Sequence, residues 1–364
     1  MIEIQQESEK KTRCLLVGEP NNNLYELESL ISTLGMECAG KITLLRIVQN
    51  PVYGIGSGKA HEICEAAKEL QADCIIFDFT IEPTKQRNWE KLAKIPVFDR
   101  QEVILRIFAQ RAQTKEAVIQ VELARLEYSR PRLAHMYGDL ARQRGGNYGA
   151  KGSGETQLEL DQRQVRQKIQ QLRQELKKVM QNREVQRKRR EKNRIPLCSL
   201  VGYTNAGKSS LLNKLTGADV LVENKLFATL DPTTRKLFIP DFGEILLSDT
   251  VGFINNLPHS LIDAFKSTLE EAQKADLLLL VVDASDENST IQYETCRSVL
   301  KEIGAEEKPF LVVLNKIDIV SKNEIALSTL AKNFPDSVRI SVKEELNLDK
   351  LLSVIKEHLE RIKG

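Results

Sequence analysis

The stretch GYTNAGKS, Gly202 to Ser209, fits the pattern GxxxxGK[ST] and lies between the apolar run IPLCSLVG and the helical pattern SSLLNKLTG. A chain that passes from strand through a glycine-rich turn straight into a helix leaves several amide N–H groups unpaired at a positive helix end, which is a cradle for phosphate oxygens. Within it, Gly202, Tyr203, Thr204, Asn205, Ala206, Gly207, Lys208 and Ser209 are candidate contacts. Lys208 is placed to reach the β- and γ-phosphates, and Ser209 to put its hydroxyl on Mg²⁺. A strand, phosphate loop and helix in this order need a mainly parallel sheet covered by helices, so the feature selects an α/β fold.

Length and composition agree. A chain of 364 residues with a net charge of +2, 41% hydrophobic and 29% charged residues suits a globular protein of two or three domains. Met1 to Arg13 is mostly polar and charged and lacks the apolar core of a signal peptide. The longest apolar run, Leu277 to Val282, is six residues, against the roughly 20 of a membrane-spanning helix. Cys14, Cys38, Cys64, Cys74, Cys198 and Cys296 form no CxxC pair, which argues against a disulfide framework or a zinc site. A cytoplasmic protein is expected.

Further motifs follow the loop in a telling order. DTVG, Asp249 to Gly252, closes a second apolar strand, GEILLSD. Its carboxylate suits Mg²⁺ held through water, and the Gly252 N–H suits a γ-phosphate, with Thr250 and Val251 between them. NKID (Asn315, Lys316, Ile317 and Asp318) ends the strand FLVVL. The Asp318 carboxylate there accepts two N–H donors from the Watson–Crick edge of guanine. Adenine presents an acceptor at that ring nitrogen and leaves the charge unpaired, at a cost of about 1 to 3 kcal/mol or more. SVK, Ser341, Val342 and Lys343, lies at the next strand end and completes the base pocket.

The organisation read along the chain has three parts. Residues 1–111 alternate β-rich runs (CLLVG, CIIFD, IPVFD) with helical stretches and read as an N-terminal α/β domain. Residues 112–194 lose the β signal and read as a helical hairpin. Leu158, Val165, Ile169, Leu172, Leu176 and Val179 give a heptad stripe with a gap at Gln162, and Ile119, Leu123, Leu126 and Leu133 give a weaker one. Between the helices, RQRGGNYGAKGSGE holds five glycines and three basic residues, and Glu155 to Arg194 carries thirteen Lys/Arg against six Asp/Glu, a net of +7. A charge run is commonly a solvated face. Here it follows a hairpin whose glycine tip admits close approach, so phosphate neutralisation and contacts to unpaired bases by Arg142, Arg144, Tyr148 and Lys151 make RNA the expected partner. Residues 195–364 read as a P-loop GTPase domain with a mostly parallel sheet.

Taken together, these motifs resemble the signature set of translation-factor-related GTPases. FATLDPTTRKL after the P-loop, DTVGFI, the loop GGNYGAKGSGETQLE and the long helix before the GTPase domain more closely resemble the HflX family, over nearly the whole chain. The resemblance implies a Mg²⁺-dependent enzyme that hydrolyses GTP to GDP and phosphate, binds the large (50S) ribosomal subunit and its RNA, and acts in ribosome splitting or rescue under stress, or in ribosome biogenesis. A monomer is expected. FATLD adds Phe227, Ala228, Thr229, Leu230 and Asp231 to the nucleotide-binding candidates. Lys208, Thr229, Asp249 and Gly252 are the candidate catalytic groups, and Ser209 and Thr229 the metal ligands, with Thr233 and Thr234 as rivals to Thr229. The residue after DTVG is Phe253, where many GTPases carry a water-orienting glutamine, so unassisted hydrolysis is expected to be slow. A competing reading is a nucleotide-gated regulatory module whose hairpin recognises a protein.

Other features carry less. YGIGSGKA, Tyr53 to Ala60, lacks the first glycine and the final Ser/Thr of a P-loop and reads as a tight turn before a helix. His61, His135, His259 and His358 have no ligand spacing.

Overall fold

The computed structural model describes residues 11–20, 22–46, 50–143, 157–191, 195–218, 226–255, 266–321 and 323–363; within its helices, the side chains of 133–143, 157–161, 182–191, 266–268 and 363 are outside the description. Two compact units emerge, one of Met1–Gln110 with Leu123–Gln171, the other of Arg111–Glu122 with Leu172–Gly364.

In the first unit, β1 (Arg13–Gly18), β2 (Glu37–Thr43), β3 (Cys74–Phe77) and β4 (Val97–Asp99) form a parallel sheet in the order β2-β1-β3-β4. Between them run α1 (Tyr25–Thr33), α2 (Ser57–Glu69) and α3 (Pro83–Ala93), followed by α4 (Arg100–Arg111). Leu15, Val17, Ile75, Phe77, Val97 and Trp89 share one apolar core. The turn reading of YGIGSGKA agrees with α2 starting at Ser57 and with Gly54 in the left-handed region at φ +78°. Edge strand β2, ECAGKIT, carried no apolar run and was not foreseen, because nearly all its side chains are half-buried or exposed.

At the carboxyl ends of these strands lies a buried charge network. Arg100, 4% exposed, bonds Asp78 and Glu26, each at 2.6 Å. Asp99, 1% exposed, accepts from Tyr128 (2.9 Å) and Arg132 (3.1 Å) of α5 (Lys115–Gln143). The helix stays continuous through Pro131. Next comes α6 (Gln157–Glu191). Between 162 and 181 its least exposed positions include Val165, Ile169, Leu172, Leu176 and Val179, the heptad stripe, while the Lys and Arg side chains are exposed. Amphipathic spacing thus decides which side of the helix is covered.

The second unit contains β5 (Leu197–Gly202), α7 (Lys208–Thr216), β6 (Thr233–Ile239), β7 (Gly243–Asp249), α8 (Lys266–Lys274), β8 (Leu277–Asp283), α9 (Ser289–Glu302), β9 (Phe310–Asn315), α10 (Ile317–Val320), α11 (Glu324–Asn333), β10 (Val338–Arg339) and α12 (Leu348–Lys363). The sheet order is β10-β9-β8-β5-β7-β6, parallel except for β6, which pairs antiparallel with β7. Strand β8 reads as an almost unbroken apolar run, and β5 as one interrupted by the buried Ser199, because both faces are covered. Leu351, Ile355 and Leu359 of α12, spaced by four, join Leu200, Leu279 and Val313 in the core. β5 lies between β7 and β8, so the connections leave it in opposite directions and open a crevice at its carboxyl end, where the P-loop sits. Strand β6, TTRKLFI, was also missed in the sequence, being polar at its start and exposed on one face.

The Arg100→Ala variant, which takes the cationic partner from the buried Asp78 carboxylate, is expected to destabilise the first unit by about 3–5 kcal/mol. Urea denaturation should record that loss, while the nucleotide affinity of the second unit stays unchanged.

Candidate nucleotide site

A cavity of about 500 Å³ opens where β5, β7 and β9 end, lined by Thr204, Asn205, Gly207, Lys208, Ser209, Ser210, Phe227, Ala228, Thr229, Thr250, Gly252, Asn315, Lys316, Asp318, Ile319, Ser341, Val342 and Lys343. Backbone geometry explains the glycines of the loop. Gly202 has φ +148° and Gly207 φ +93°; a side chain on the first would collide with the Val281 carbonyl and on the second with the Asn315 amide. The loop then enters α7 at Lys208, which turns its first amides toward the cavity.

Lys208 is 6% exposed, and its ammonium donates to the carbonyls of Gly202 (3.2 Å) and Tyr203 (2.8 Å). Burial pulls its pKa down, against the opposing pull of the Asp249 carboxylate. The Asp249 carboxyl is pushed above the ordinary range by its own burial, opposed by Lys208 and by hydrogen bonds from Ser209 and Thr229. Ser209 Oγ lies 2.6 Å from Asp249 Oδ2 and 2.7 Å from Thr229 Oγ1. Asp249 Oδ1 is buried with no protein partner. Two hydroxyls and a carboxylate with an orphaned oxygen are hard donors suited to Mg²⁺, which takes its remaining ligands from phosphate and water. Among the described residues no group of three or more His, Cys, Asp or Glu forms a metal site of another kind.

The base end is built by Asn315. Its Nδ2 donates to the Ala206 carbonyl of the P-loop (2.9 Å), and its Oδ1 accepts from the Val342 N–H (3.1 Å). One buried side chain therefore joins the phosphate loop to the SVK segment. Lys316, at φ +62°, pairs with Asp283 at 2.6 Å, and Asp318 keeps one carboxylate oxygen buried with no protein partner. An acceptor waiting for donors at the cavity wall fits the N–H edge of guanine.

Not every sequence candidate lines the cavity. Gly202, Tyr203, Ala206, Leu230, Asp231, Asp249, Val251 and Ile317 are not among its lining residues, although Asp249 touches it through Ser209 and Ala206 through Asn315. Thr233 and Thr234 lie in the β6–β7 ladder, with the Thr234 hydroxyl 3.1 Å from that of Ser248. Ser210 and Ile319 were missed; each directly follows a motif whose pattern stops one residue short. Phe253 is 1% exposed, and its backbone is bonded to Gly202 and Thr204. Arg144, Tyr148 and Lys151 lie outside the described residues, and Arg142 is described only as a backbone position of α5. Among the described residues no helix is long and apolar enough to cross a membrane.

Residues 21–109 match the family model GTP-binding GTPase N-terminal, 111–190 the GTP-binding GTPase Middle Region, and 197–316 the 50S ribosome-binding GTPase. The chain is 47% identical to GTPase HflX of Akkermansia muciniphila over 379 aligned positions, covering 99% of this chain and 87% of that protein. It is 45% identical to GTPase HflX of Escherichia coli, covering 93% and 79%. A crystal structure of the SsGBP and GDP complex superposes with a TM-score of 0.51 at 28% identity, covering 98% of this chain and 100% of that one.

Replacing Asn315 by alanine strands the Ala206 carbonyl and the Val342 amide. Each lost partner is expected to cost about 1–3 kcal/mol. Denaturation with and without GDP should show lower stability and a smaller stabilisation by nucleotide.

Proposed function

The chain belongs to the HflX family of GTPases, and from that footing we propose that it hydrolyses GTP on the large ribosomal subunit, with the cavity at Lys208 as the catalytic site. The observation that carries the reading is the coincidence of a buried ammonium, a Ser209–Thr229–Asp249 oxygen cluster and a buried Asp318 carboxylate oxygen with no protein partner around one cavity. The HflX relatives and the matched 50S ribosome-binding GTPase model support the ribosomal partner.

In the proposed mechanism, Lys208 turns its ammonium from the loop carbonyls to the β- and γ-phosphate oxygens, where it offsets charge that grows during transfer to water. The P-loop amides hold the phosphates in line. Ser209 and Thr229 would hold Mg²⁺, with Asp249 supporting them through Ser209, and the ion would supply positive charge against the phosphates. Gly252 presents its N–H toward the γ-phosphate; a Cβ there would lie 2.8 Å from Thr204 Cα and 3.0 Å from Lys208 Nζ, so only glycine leaves room. The buried Phe253 ring has no polar atom to orient the attacking water. Hydrolysis in isolation is therefore slow, and the partner supplies or orders the missing group. With the chain divided into 1–111, 112–194 and 195–364, the RNA contact we propose falls to the middle part, with Arg142, Arg144, Tyr148 and Lys151 as its candidate residues.

Turnover measured with and without large subunits tests this. Stimulation is expected, toward the roughly 10³ to 10⁵ that groups supplied in trans bring elsewhere, with co-sedimentation weakening as salt rises. A fast rate unaffected by subunits, or binding insensitive to salt, would refute it.

A further inference from the structure

Asp231 was expected to touch nucleotide, yet it is not among the cavity-lining residues. Its carboxylate faces the start of α5 instead, where it accepts from the backbone N–H groups of Gln113 (3.3 Å) and Thr114 (3.2 Å) and, in a short contact, from the Thr114 hydroxyl. Thr114 is the residue that caps α5: its hydroxyl oxygen accepts from the Ala117 N–H at 3.2 Å and its carbonyl from the Val118 N–H at 2.9 Å. A carboxylate at this end of a helix meets unpaired amides and the positive end of the dipole, both of which favour it.

Two residues earlier, Thr229 holds its hydroxyl 2.7 Å from Ser209. Two residues cover at most about 7 Å of extended chain. An anchor at Asp231 therefore confines Thr229 to a small volume around its position beside Ser209. The neighbouring restraints act on the same segment. Phe227 and Leu230 are each 2% exposed, Phe227 in the left-handed region at φ +56°, and Thr233 enters the ladder opposite Asp249. Among these, the Asp231 carboxylate is the contact that ties the segment to an element outside the nucleotide sheet and its loops.

We propose that Asp231 is a positioning residue for GTP hydrolysis: by docking on the capped first turn of α5 it holds the Thr229 hydroxyl at the phosphate end of the cavity. This rests on the GTPase reading above. Breaking the dock lets Thr229 wander from its working position while the P-loop, NKID and SVK contacts to the nucleotide persist. The loss should therefore fall on hydrolysis and on the Mg²⁺ requirement of the triphosphate state, not on GDP.

The experiment uses the full chain and its D231A, T114A, T114S and D231A/T114A variants. Single-turnover hydrolysis of GTP should fall about tenfold or more in D231A, as misplacement of a positioning group does elsewhere. T114A should fall in the same direction, T114S should retain the wild-type rate, and the double variant should be no slower than D231A, since both changes cut one contact. The Mg²⁺ concentration that half-saturates binding of a fluorescent non-hydrolysable GTP analogue should rise in D231A. GDP affinity should stay within about twofold, and hydrogen exchange at the Ala117 and Val118 amides should quicken. An unchanged D231A rate, losses that multiply in the double variant, or an equal loss of GDP binding would overturn the proposal. A wild-type chain that neither binds nor hydrolyses GTP would instead defeat the underlying GTPase reading.

Discussion

A buried ammonium needs an anion, and much of the second unit is arranged around that need. Lys208 sits inside the turn between β5 and α7, where backbone carbonyls and the Asp249 carboxylate offset part of the cost of its burial. Carbonyl dipoles offset part of the desolvation cost, and a triphosphate offsets far more. The requirement for close backbone approach explains Gly202 and Gly207. The position of β5 between two strands whose connections diverge supplies the open crevice.

Much of this was legible in the sequence because the motifs are contiguous and encode local backbone shape. The P-loop, DTVG and NKID each occupy a strand end, and a strand of Val, Leu and Ile buried on both faces is easy to read. What escaped depended on tertiary context. Strands β2 and β6 lie at sheet edges, where polar side chains face outward and the apolar signal fades. Val251, Ile317 and Leu230 are buried and are not among the residues that line the cavity. Nothing in FATLD reveals that a helix more than a hundred residues earlier offers its amino end to the Asp231 carboxylate.

The middle of the chain shows how one helix serves two purposes. In α6 the heptad positions are covered while the basic side chains between them stay exposed from 162 to 181. The same periodicity that covers the apolar side of the helix therefore leaves its basic side chains exposed. In the first unit, Arg132 and Tyr128 of α5 reach the buried Asp99, so this helix is fastened by charge as well as by apolar contact.

The cavity at Lys208 selects guanosine triphosphate, and on this the rest depends. Calorimetric titration of the purified chain with GTP and with ATP, each with magnesium, tests it most directly. One GTP per chain with no saturable ATP uptake at this site is the predicted result. An absence of heat with GTP, or a preference for ATP, would contradict it.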